Sequence, residues 1–161
     1  MFFSDPIAAF GNLRRALRAG GRLAFVCFRE RQHTWWTVPL SAVATIVAAG
    51  PATPPHQPDP FSLGDDNHLR SILVGAGFVD VVCEAVDYAL ALGDDLDSAT
   101  EFVINAGPAA RALASVNDEQ RTQAREIIRQ ALAQHQNSIG VSLQAATWIV
   151  RATNPASSSG T

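Results

Sequence analysis

The sequence predicts an α/β domain, and three observations carry that reading. An apolar stripe at helical spacing ends near paired glycines and runs directly into a short apolar strand. A second helix, stopped by Gly77, is again followed by a strand. A further apolar run, Val141 to Ala152, supplies the last strand.

The first helix begins at Ser4-Asp5-Pro6, where Ser or Asp caps the free N–H groups and Pro fits the first turn. Ile7, Phe10, Leu13 and Leu17 form one apolar stripe, and Arg14, Arg15 and Arg18 suit the negative end of the helix dipole. Gly20-Gly21 is expected to end the helix. The continuous apolar run Arg22 to Phe28 suggests a strand buried on both faces, as in a parallel sheet covered by helices.

Residues 29–64 are an excursion. Val38 to Ala49 is apolar and reads as helix; Gly50 to Pro60 holds five prolines and reads as loop. Such a length outside a compact α/β unit suits a lid or substrate-side loop. Asp65-Asp66 then caps a helix with Leu69, Ile72, Leu73 and Ala76 on one face, and Phe78 to Leu92 reads as strand. Ser98 and Glu101 have the spacing of a capping box ahead of Phe102, Val103 and Ile104. Gly107-Pro108 interrupts the helix, which resumes to about Val116. Asn117-Asp118 caps a longer amphipathic helix carrying Ala124, Ile127, Ile128 and Leu132. Residues from Asn154 onward read as a flexible tail.

Composition narrows the function. Of 161 residues, 47% are apolar and 17% charged, which is globular composition. All 12 basic residues are arginine and the net charge is −3, so no nucleic-acid footprint is present. No apolar run approaches the roughly 18 residues of a membrane-spanning helix. Cys27 and Cys83 lie in apolar runs without metal-ligand spacing, as buried reduced thiols of a cytoplasmic protein do.

The segment from Met1 to Phe28 resembles class I S-adenosylmethionine-dependent methyltransferases of the bacterial small-molecule type. It is similar to their stretch from the end of the fourth strand through the fifth. The matching elements are Asp5-Pro6, Leu13-Arg14-Arg15-Ala16-Leu17, Gly20-Gly21 and the strand Arg22 to Phe28, with Ala19 where the family usually has Pro. Leu69-Arg70-Ser71-Ile72-Leu73 and Ala76-Gly77-Phe78 resemble the helix and turn before the family's sixth strand.

The resemblance implies the C-terminal half of a Rossmann-like seven-stranded sheet, with strands in the order 5, 7, 6. It covers residues 1–152, with 29–64 as lid, 97–136 as a helical insertion and 153–161 as a disordered tail. It implies methyl transfer from S-adenosylmethionine to a small-molecule acceptor. The family's glycine-rich cofactor loop is absent: no G-x-G-x-G occurs in the sequence. The chain is therefore expected to be inactive alone. An internal methionine taken as a start, a genuine truncation and a split gene all fit Met1. The strand 22–28 would then expose an edge, open to a missing N-terminal half or to self-association. A non-catalytic interaction module remains the alternative.

Met1, Phe2 and Phe3 would lie where the cofactor's methyl meets the substrate. Phe28 and Arg29 end the fifth strand at the carboxyl edge, where Arg29 would orient an anionic substrate. Trp35 and Trp36 would either shape an apolar or aromatic pocket, with Phe61, or anchor the lid. His33 is the candidate general base. Methyl transfer demands mainly positioning, since the sulfonium is already activated.

Overall fold

The computed structural model describes residues 2–47 and 58–156. The chain divides into two compact units. Residues 2–30, 58–87 and 146–156 form the first, and residues 31–47 and 88–145 the second. One sheet is present among the described residues. Its strands are β1 (Arg22–Phe28), β2 (Val79–Gly93), β3 (Gln136–Asn137) and β4 (Gly140–Thr153). The order is β1–β4–β2, with β3 also paired to β4, so the last strand lies between the first two.

In the first unit, helix α1 (Pro6–Ala16) is capped by Asp5, whose carboxylate accepts the Ala8 N–H at 2.9 Å. The expected apolar stripe is only partly covered. Phe10 is buried, but Ile7 and Leu13 remain 48% and 43% exposed. The helix stops before the glycines, at a C-cap on Leu17, and Arg18 falls outside it. Asn154 does the capping instead. Its side-chain amide donates to the Leu17 and Arg18 carbonyls at 3.0 and 3.1 Å. Of the residues expected in the tail, Thr153 belongs to β4 and Asn154 is buried. Residues 157–161 lie outside the described residues.

Strand β1 keeps its expected bounds but not its expected surroundings. It pairs antiparallel with β4, from Arg22 opposite Thr153 to Phe28 opposite Thr147. It ends the strand order, so its other edge has no strand beside it among the described residues. Leu23, Phe25 and Cys27 turn inward, while Arg22, Ala24 and Val26 are exposed. An unbroken apolar run looks the same for a two-sided and a one-sided strand, because Ala24 and Val26 are apolar whether or not they are covered. Helix α3 (Asp66–Gly75), capped by Asp65, places Leu69, Ile72 and Leu73 against Phe10, Phe78 and Val150 in this unit's core.

The second unit is mainly helical. Helix α2 (Thr37–Val43) is shorter than the apolar run suggested; turns follow to residue 47, and residues 48–57 lie outside the described residues. Helices α4 (Leu96–Asn105), α5 (Gly107–Ala112) and α6 (Asp118–Ala133) follow. The capping box of α4 is Asp95 with Ser98, not Ser98 with Glu101. Asp95 accepts the Ser98 N–H at 2.7 Å and the Ser98 hydroxyl accepts the Asp95 N–H at 3.2 Å, which starts the helix three residues earlier. Asn117 and Gln120 build the same reciprocal cap on α6. Val103, Ile128, Leu132 and Val141 are completely or almost completely buried in this unit's core. Gly140, at φ +127°, closes the β3–β4 turn; a Cβ there would stand 2.4 Å from the Gly93 carbonyl oxygen. Among the described residues, no helix is long and apolar enough to cross a membrane.

Candidate functional site

The first unit gathers aromatic and charged groups at the end of β1. Phe28 packs on Phe61 with ring centroids 5.9 Å apart. Gly64 lies against the Arg29 backbone so closely that a Cβ would sit 2.9 Å from the Arg29 carbonyl oxygen. Trp148, on β4, donates its indole N–H to the Gly64 carbonyl at 2.7 Å and lies under the Arg29 guanidinium, 5.0 Å from it. Arg29 pairs with Asp87 at 2.9 Å, and its Nε is 3.9 Å from Glu30. That Nε is buried and makes no hydrogen bond. Arg29 is thus held by a carboxylate and an aromatic face.

Sequence reasoning named Phe28, Arg29 and Phe61, and the structure brings these three together. It missed Asp87 and Trp148. Trp148 lies in the last strand, opposite Cys27 in the β1–β4 register. Asp87 is an acidic residue within a largely apolar strand. An acid at such a position is a usable signal, but its partner comes from 58 residues away.

Phe2 and Phe3 are 66% and 44% exposed. They line an apolar depression of about 340 Å³ with Phe10, Leu13, Leu23, Phe25, Val26, Cys27 and Leu63. Met1 lies outside the described residues. Cys27 forms part of the depression's floor; burial first, and then Cys83 nearby, push its thiol pKa up to about 12. Cys83 is also raised, chiefly by burial.

His33, Trp35 and Trp36 belong to the second unit. His33 is exposed on a 3-10 turn, Arg31–His33. Trp35 is buried in the helical core, edge-on to Trp36 at 5.3 Å and 5.7 Å from Phe102. Elsewhere in this unit, a polar cleft of about 350 Å³ between α4 and α6 is lined by Glu101, Asn105, Asp118, Arg121 and Arg125. Arg125 and Glu101 form an ion pair across it. Among the described residues, no group of His, Cys, Asp and Glu is placed to hold a metal.

Comparison with known proteins found no matching family model and no matching curated protein.

Proposed function

We propose that this chain is the substrate-side part of a cytoplasmic S-adenosylmethionine-dependent methyltransferase acting on a small molecule, and that the grip on the methyl donor comes from other sequence. The observation that supports it is the strand order. The last strand lies between the first and second, as the resemblance implies for the family's seventh strand between fifth and sixth. The motif order from Asp5-Pro6 to Phe78 adds to it.

The residues present do not fit the methyl donor by themselves. The donor carries a carboxylate, an amino group and a sulfonium, all needing polar or charged partners. The depression beside Phe2 and Phe3 is lined by nine apolar or sulfur-bearing residues and no charged one. No G-x-G-x-G occurs in the sequence to offer a cradle of backbone N–H groups. This chain's contribution is acceptor binding. Phe28, Phe61 and Trp148 supply apolar and aromatic surface, and the partly exposed Arg29 guanidinium supplies positive charge beside it.

Calorimetric titration tests the reading. The chain alone is expected to bind S-adenosylmethionine no more tightly than about millimolar, a scale of roughly −4 kcal/mol. Binding is expected to tighten when the product of in-frame upstream DNA, or a separately encoded glycine-rich half, is added. Micromolar binding by the chain alone would overturn the division of labour. If neither source encodes a strand, glycine-rich loop and helix, the methyltransferase reading fails.

A further inference from the structure

We infer that the open edge of β1 pairs antiparallel with the same edge of a second copy, forming a symmetric dimer with one continuous sheet. Two separate observations meet there. The edge carries backbone N–H and C=O groups with no strand beside them among the described residues. Next to it lies the apolar depression, with Phe2, Phe3, Leu13 and Val26 exposed.

The sequence of β1 is self-complementary in this arrangement. With Phe25 on the two-fold axis, Leu23 stands opposite Cys27 of the second copy, and Ala24 opposite its Val26. Every pair on the helix-covered face is apolar. The only charge in the strand, Arg22, stands opposite Phe28 of the second copy and diagonal to its Glu30, so two opposite-charge pairs form by symmetry and no like charges meet. The axis is perpendicular to the sheet, which puts both α1 helices on one face. Phe2, Phe3 and Leu13 of each copy are then covered across the seam. This inference stands on the edge itself, independently of the methyl-transfer reading; a methyl-donor half would compete for the same edge.

Sedimentation equilibrium of the full chain tests it. The wild type is expected to be dimeric at about 100 µM and to dissociate on dilution. Val26→Lys and Arg22→Glu alter exposed side chains, so folding is retained, as circular dichroism would verify. Each is expected to raise the dissociation constant about tenfold or more, and Glu30→Arg added to Arg22→Glu to restore most of the affinity. A wild type that stays monomeric at that concentration overturns the inference. So does a dimer that all three variants leave unchanged, since that dimer uses another surface. Because methyl-donor binding is not read out, failure here leaves the methyltransferase reading intact.

Discussion

Asn154 shows how much one side chain can decide. Its buried side-chain amide holds the end of α1 from more than 130 residues away, and its backbone carbonyl accepts the Gly20 N–H at 2.9 Å. Asn154→Ala leaves those carbonyls without their donor and is expected to cost about 1–3 kcal/mol in urea unfolding. Cys27 gives a pH prediction. Its folded pKa, about 12, lies above the ordinary thiol value of 9.0. Below pH 9 both states keep the proton and nothing is lost. Between about 9 and 12 the unfolded chain ionises first, so stability falls as pH rises. Cys27→Ala is expected to flatten that alkaline decline relative to wild type, measured by denaturant titration across the range. The same burial makes Cys27 unreactive toward thiol reagents at pH 8 while the chain is folded.

At the scale of elements, local chemistry set most of the starts and stops. Asp5, Asp65 and Asn117 cap the helices the sequence assigns to them, because capping needs only a side-chain oxygen within three residues. Asn117→Ala is expected to lower stability by about 1 kcal/mol. Gly140→Ala is expected to cost more than about 1 kcal/mol, because a Cβ meets the Gly93 carbonyl and φ is positive. Both are read as shifts in the urea midpoint at constant slope. The α4 cap was misplaced because Ser98 suits either position of a box; the preceding Asp95 decides which one it takes. The surroundings of β1 were misread for a different reason. An apolar run carries no information on how many of its faces are covered.

At the scale of the molecule, each unit has its own apolar core, and each core yields a test. Leu69 and Leu132 are fully buried, one in each. Leu69→Ala and Leu132→Ala are each expected to cost about 2–5 kcal/mol, by lost transfer energy and the cavity left behind. Separate transitions in the unfolding of either variant would mean that the two cores melt independently. Of the candidate site, Phe28, Arg29 and Phe61 were legible from their position at a strand's end and beyond it. Asp87 and Trp148 were not, because strand pairing rather than sequence distance brings them to Arg29.

By itself, the sequence determined that the chain is α/β, where most of its helices begin, and that no G-x-G-x-G occurs in it. Those properties depend on neighbours a few residues apart. Only the tertiary structure decided that the last strand lies between the first and second, that β1 is left with an open edge, and that Trp35 is a core residue. These depend on which distant surfaces cover one another, a competition among apolar faces that spacing along the chain does not record.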